Sequence, residues 1–459
     1  MSGSHLDRRG FLTGSLASVP LIGTMMAAGP SPAQDAPAAT GSRNSVVIPT
    51  HEFAGNIDER LDFPADWQID VIEMAGHNAS ELTDQQIAAA LAQPVGTKTL
   101  RELAAGKQRV VITFDDLTRP TPTYAVAPWV LAELKAAGVA DENILFLTSY
   151  GTHRPMSELD IPKKLGPEIA RRYAFMNHNC WDNLKDLGET SYKTPVRINQ
   201  TFMAGDLKIC ISGIKVHAQA GYGGGAKAIL PGVAAMSTIE HNHLVVLPNS
   251  KTGGEVRVFK NDMRLDMIET ARLAQVDFTV QVVYNQRLRP TAVFSGDIVD
   301  AHHAAVRVAN QHYRTPTFKN ADIVVANGYP QCCQAGHSQA WIDRSIKESG
   351  TGVLVLQQPS ILDPFHYLDN HTGLMGGKSY FDLAAQHLNR TPSGPGNTAL
   401  IVYSRYANRT LMNYYPRTTR FCDKWADVLN ILQQRHKGSV QVAVYPYAAI
   451  QHVEMDLDG

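Results

Sequence analysis

Cysteine is scarce and never spaced as CxxC: the five thiols, Cys180, Cys210, Cys332, Cys333 and Cys422, match no zinc-ribbon or dithiol redox pattern. The adjacent Cys332 and Cys333 read as packing or loop residues. A small disulfide-stapled module is excluded too, because 459 residues with 44% hydrophobic content can bury a large core and make two domains. Neither sign of charge is in excess. Lys plus Arg number 42 against 43 for Asp plus Glu, a formal net charge of -1, so no global field draws the chain to nucleic acid. Past the N-terminus there is no apolar run long enough to span a membrane, no HExxH, no three-histidine zinc arrangement and no internal repeat. A small molecule is the partner left standing.

What is present begins with an address. HLDRRGFLTGSLASVPLIGTMMAAG pairs Arg8 and Arg9 with Phe11 and Leu12, then an uncharged stretch too short for a comfortable span. Ser31-Pro32-Ala33 offers a small-x-Ala cleavage site, and an Ala/Pro/Ser tract follows to about Ser45. This resembles a twin-arginine export signal, with an ordinary Sec signal as the alternative. The expectation is a periplasmic protein handled by the twin-arginine machinery, with residues 1–44 as signal and linker and no stable membrane insertion.

Beyond it, short apolar strands alternate with helical patterns, which predicts an α/β fold. RVVITF (109–114) stops at Asp115-Asp116, and NILFLT (143–148) stops just before Gly151-Thr152-His153. A third strand, 207–214, feeds a glycine-rich loop. Carboxyl ends of strands are where open α/β sheets bind ligands, so the polar residues there gain weight. Strands at 321–326, 353–356 and 399–403, with helices at 300–313 and 422–436, make a second α/β unit. Polar residues and Pro290 place the boundary at 286–291, giving a catalytic, cofactor-binding domain at 45–288 and a C-terminal α/β domain at 289–459, with the site at strand ends and the domain interface.

Three segments carry chemistry. In DDLTRPTP (115–122), Asp116 and Arg119 sit three residues apart after a strand, as suits clamping a hydroxy acid or positioning an anion. GTHRPM (151–156) sets His153 on a strand-end loop. VHAQAGYGGGAKAILPGVAAMSTIEHNH (216–243) gathers His217, Lys227, His241 and His243 around Gly223, Gly224 and Gly225. Those glycines can adopt φ > 0 and let backbone N–H groups approach an anion or a flat cofactor. Lys227 falls at the expected start of a helix, AKAIL, where helix dipole and burial both lower an amine's pKa. A P-loop fails in detail, because Ala226 precedes the lysine and Ala228 follows it where Ser or Thr should hold Mg²⁺. A zinc hydrolase built on His241 and His243 lacks a third ligand and a base.

Taken together, DDLTRPTP, GTHRPM, LGPE (165–168) and H-x9-K-x15-H with AKAILPG resemble the nickel-dependent lactate racemase family over roughly residues 50–250. SGD (295–297) and NGYP (327–330) resemble its C-terminal half more loosely. The resemblance implies a racemase or epimerase of a 2-hydroxy acid working by hydride transfer to a nickel pincer nucleotide. It implies that Lys227 tethers this nucleotide covalently with Gly223, Gly224 and Gly225 around it, that His243 ligates nickel, that His153 and His217 are the acid/base pair, and that Arg119 with Asp116 orients substrate. Two histidines suit the chemistry, since imidazole exchanges protons near neutral pH on either face. One departure falls at the substrate. GYPQCCQAGHSQAWID offers Gln334, His337 and Gln339 but no lysine until Lys347, where the family has a glutamine and then a lysine three residues on. A lost ammonium points away from lactate and toward a larger or more polar acid, such as a sugar acid. The competing expectation is a non-catalytic exported binding protein that retains the fold.

Overall fold

The computed structural model describes residues 44–250, 258–359, 398–413 and 415–457. The export signal expected over 1–44 therefore lies outside the described residues, Asn44 excepted. Residues 43–459 form one compact unit. Its strands begin with β1 (Asn44–Thr50), β2 (Ile57–Phe63), β3 (Gln68–Val71), β4 (Val110–Phe114), β5 (Ile144–Thr148) and β6 (Ala174–Asn177). The hairpin β7 (Leu184–Glu189) and β8 (Pro195–Asn199) precedes β9 (Leu207–Gly213), β10 (Val216–His217) and β11 (Gly221–Tyr222). The later strands are β12 (Phe278–Tyr284), β13 (Pro290–Gly296), β14 (Ala321–Asn327), β15 (Ile346–Val355), β16 (Ala399–Tyr403), β17 (Arg420–Cys422) and β18 (Gln441–Tyr445).

Two six-stranded sheets organise the molecule, one in the order β13-β12-β9-β4-β5-β6 and the other β17-β16-β15-β14-β18-β3. All pairs are parallel except the edge pair β12–β13. The α/β expectation holds. Parallel strands bury both faces, and β4 (VVITF) and β9 (LKICISG) are buried along their whole length, which is why they read as continuous apolar runs. Helices cover both faces. The helix Thr123–Ala136 contributes Val126, Ala127, Val130, Leu131 and Leu134 to the same core as Val110, Ile112 and Phe114.

The segment 286–291 is not a domain boundary but the turn joining β12 to β13. Its polar residues punctuate a tight reversal, in which Asn285 Oδ1 accepts the amide of Arg287 at 2.9 Å and the Asn285 amide bonds the Arg289 carbonyl at 3.0 Å. The chain passes from the first sheet to the second only after the helix Asp300–His312, and the earlier strand β3 belongs to the second sheet beside β18. The amphipathic helices expected near 300–313 and 422–436 are Asp300–His312 and Trp425–Arg435. Among the described residues no helix is long and apolar enough to cross a membrane.

In the first sheet β9, β4 and β5 are neighbours in that order, and Phe114 of β4 pairs with both Ile211 of β9 and Thr148 of β5. Their carboxyl ends therefore deliver Lys215 and His217, Asp115 to Arg119, and Gly151 to His153 side by side. β14 ends centrally in the second sheet, and the residues after it, Gly328 to Gln334, reach the same place.

Candidate active site

Asp116 and His153 meet where β4 and β5 end. Asp116 Oδ2 lies 2.9 Å from His153 Nδ1, while Oδ1 accepts from the Thr118 amide at 2.9 Å and its hydroxyl at 2.6 Å. Burial by itself would raise this carboxyl, but the His153 imidazole, then Arg119 and Thr118, hold it down at about 2. A carboxylate only accepts, so His153 carries its proton on Nδ1 and presents the Nε2 lone pair, which faces the Gln334 amide nitrogen at 3.4 Å. The structure thus joins Asp116 to His153 as its orienting partner. Arg119 Nη1 donates to Thr118 Oγ1 at 2.9 Å and to Gln334 Oε1 at 3.1 Å. The neighbouring Asp115 is structural, held by the fully buried Lys164 at 2.6 Å, whose ammonium also caps the carbonyls of Arg119 and Thr121.

His217 ends β10, and its Nδ1 accepts the backbone N–H groups of Gln219 at 3.3 Å and Ala220 at 3.2 Å. With Nδ1 accepting, the neutral ring carries its proton on Nε2, the opposite tautomer to His153. Burial first, then the charges of Lys227 and Arg119, depress its pKa well below the usual imidazole value. His243 sits on a π-helical turn, Asn242–Val246, a distortion that often marks functional positions. There Nδ1 donates to the Ile239 carbonyl at 2.9 Å, and burial with Lys227 lowers the pKa to about 3, leaving a neutral ring with its Nε2 lone pair. His178 differs, since both its nitrogens are engaged, by Ala234 and Asn199. His241 instead bonds Thr194 at 2.8 Å.

The glycine loop is built differently from expectation. Gly225–Ala228 is one turn of 3-10 helix rather than the start of an α-helix, because Pro231 has no amide hydrogen to continue the ladder. Lys227 therefore owes its strongly lowered pKa to burial, and next to Arg264 and Arg119, rather than to a helix dipole. Its Nζ has no hydrogen-bond partner among the described residues. Nor do the loop amides form an open anion cradle. The Gly223 N–H bonds the Lys215 carbonyl at 2.7 Å and the Gly225 N–H bonds Gln281 Oε1 at 2.9 Å. Glycine is needed for close approach instead. At Gly224 (φ 73°) a Cβ would stand 2.5 Å from Gln281 and 2.6 Å from Ile214, and at Gly225 (φ 56°) it would stand 2.7 Å from the His302 ring.

Arg264, which sequence reasoning missed, lies under this loop. It is 1% exposed and donates to the carbonyls of Ala220, Tyr222 and, at 3.0 Å, Gly224, with no carboxylate partner among the described residues. Burial lowers its pKa to about 9. His302 pins the Gly223 carbonyl at 3.0 Å, a role for a residue that had none from sequence. Neither carried a signal, being single polar positions on amphipathic helices. Lys215 could have been found, for it shares the strand-end position of His217. Lys227 is thus coupled to His217, His243, Arg264 and Arg119 in one electropositive site.

A family model described as the lactate racemase N-terminal domain matches residues 55–253. Over 293 residues the chain is 29% identical to a lactate racemase of Lactiplantibacillus plantarum, spanning 62% of this chain and 69% of that protein. A lactate racemase of Thermoanaerobacterium thermosaccharolyticum is 31% identical over 248 residues, 52% of this chain and 57% of that one. Over these stretches the chain resembles lactate racemases. Racemisation is the activity that the names of these relatives carry. The fold agrees, since the solved apoprotein of the Thermoanaerobacterium thermosaccharolyticum lactate racemase superposes with a TM-score of 0.63 at 22% identity over 89% of this chain and all of that one. A Thermotoga maritima protein superposes with a TM-score of 0.58 at 18% identity, covering 82% of this chain and 99% of that one.

Proposed function

We propose that this chain interconverts the two configurations of a 2-hydroxy acid, with the α-hydrogen leaving and returning as hydride. The observation that carries the reading is the complementary mounting of His153 and His217 at the ends of strands flanking β4: His153 donates through Nδ1 and presents an Nε2 lone pair, whereas His217 accepts through Nδ1 and presents an Nε2–H. Inversion breaks the O–H and α C–H bonds and remakes both with hydrogen on the opposite face of the carbon. His153 Nε2 takes the hydroxyl proton of one configuration, and His217 Nε2 returns a proton for the other; the reverse direction exchanges the roles. Asp116 fixes the His153 tautomer and stabilises the imidazolium that forms. Arg119 aligns the substrate carboxylate.

The residues fit a nickel pincer nucleotide. His243 would be one donor to nickel, and the nucleotide's sulfur arms would supply others. His243 would offer one neutral imidazole nitrogen, Lys227 a partly buried amine suited to a covalent bond, and Arg264 a positive setting for a nucleotide phosphate. When bound, such a group supplies the hydride acceptor. The amides of Gln331 and Gln334 and the imidazole of His337 favour an acid richer in hydroxyl groups than lactate, such as a sugar acid.

Deuterium at C2 tests the reaction. The label is expected to remain in the inverted product, whereas complete washout into solvent during inversion would show proton abstraction and overturn hydride transfer. We also propose that Arg8 and Arg9 direct the folded, cofactor-loaded protein to the periplasm. Replacing both by lysine should retain it in the cytoplasm, and unchanged secretion would favour the Sec route.

A further inference from the structure

We propose that the substrate carboxylate is clamped between Arg119 and Lys215, so that a lysine just past β9 supplies the ammonium missing from the helix after Tyr329-Pro330. This rests on the 2-hydroxy acid reading above.

Lys215 is 5% exposed, and its Nζ donates to Gln331 Oε1. Gln331 Nε2 donates in turn to Gln334 Oε1 at 2.7 Å, and that same oxygen accepts from Arg119 Nη1 at 3.1 Å. Two cations thus terminate a line of two neutral amides. The amide oxygens satisfy hydrogen bonds but cancel no charge, and buried charges are costly without a partner of opposite sign. Carboxylates nearby are already committed, Asp115 to Lys164 and Asp116 to His153 and Thr118. Burial first, and then Arg119, pull the Lys215 pKa well down, which reports the same uncompensated positive charge.

A carboxylate resolves this imbalance because its two oxygens can take the places of the two amide acceptors, one at each cation. Position agrees with chemistry. Gln334 also touches His153 Nε2 at 3.4 Å, so an acid bound along the Gln331–Gln334 line carries its hydroxyl, one carbon away, to the base. The helix Gly336–Ser345 brings no lysine to this place, and the strand-exit lysine takes up the task.

The test uses cofactor-loaded protein with lactate, malate and gluconate, each also as its uncharged amide. Lys215→Gln keeps a polar side chain without the charge, and Lys215→Arg keeps the charge; thermal midpoints confirm that both fold. For the acid that is turned over, Lys215→Gln should raise KM about 10–100-fold with a smaller change in kcat, leave binding of the matching amide within about 2-fold, and be largely rescued in Lys215→Arg. An unchanged acid KM in Lys215→Gln, or equal losses for acid and amide, overturns the clamp alone. Wild-type protein that neither binds nor converts any of the three acids overturns the 2-hydroxy acid reading and the clamp together.

Discussion

Oδ2 of Asp116 stands 2.9 Å from Nδ1 of His153, across the gap between the ends of two adjacent parallel strands. That contact fixes the orientation of a loop histidine. In the proposed mechanism it places the aspartate in the proton-transfer machinery, although its sequence position beside Arg119 suggests a substrate clamp.

Asp116→Asn should lower kcat by about 10²–10⁴-fold while leaving the fold intact, because the ring loses its tautomer control. His153→Ala and His217→Ala should each cripple inversion in both directions. Since the two act in series, the double variant should be little worse than either single one, as single-turnover rates will show. Full activity in His153→Ala would remove it from the mechanism.

In the proposed reading Lys227 and His243 divide the work of holding the cofactor. Active protein should show an intact mass above that of the bare mature chain, and about one nickel per chain by elemental analysis. Lys227→Ala should lose the mass increment. His243→Ala should lose nickel, whereas His153→Ala should retain it. An unmodified chain with wild-type activity would exclude the covalent tether.

The loop glycines should differ in tolerance. Gly224→Ala and Gly225→Ala place a Cβ at positive φ against Gln281 and His302, and each should cost about 1–3 kcal/mol in urea unfolding. Gly223→Ala should cost less than about 1 kcal/mol, its nearest neighbour being the Lys215 carbonyl at 3.5 Å. Equal losses at all three would mean that the loop's packing is not what the glycines serve. Arg264→Met should release three carbonyls at once and destabilise more than Gly223→Ala does.

Glu52 provides a pH handle on stability. It is 3% exposed beside Cys332, and burial pushes its carboxyl up to about 7 from 4.5. The folded form therefore binds the extra proton between those values, and stability must fall as pH rises from about 4.5 through 7, by roughly 3 kcal/mol. Glu52→Gln should flatten that decline, raising the urea midpoint at pH 8 but not at pH 4.5. The same shift at both pH values would mean that the substitution acts by packing.

The local record in the sequence reached far. The buried runs at β4, β5, β9 and β16 stand within a residue or so of their expected limits, because burial on both faces writes a continuous apolar pattern. The polar residues closing those runs, Asp116, Arg119, His153 and His217, converge on one site. Local pattern misled at 286–291, where turn chemistry looked like a linker, and at AKAIL, where apolar spacing looked helical but Pro231 stops the ladder. By itself the sequence determined the α/β class, the strand ends where the polar residues gather and the likeness to lactate racemases, since each is written in contiguous residues. Only the tertiary structure decided that β9, β4 and β5 lie side by side, that Arg264 comes to rest beneath the glycine loop, and that Lys215 and Arg119 share the amides of Gln331 and Gln334. Strand order and the pairing of buried charge are settled by closing long loops around a packed core, and no local periodicity records that choice.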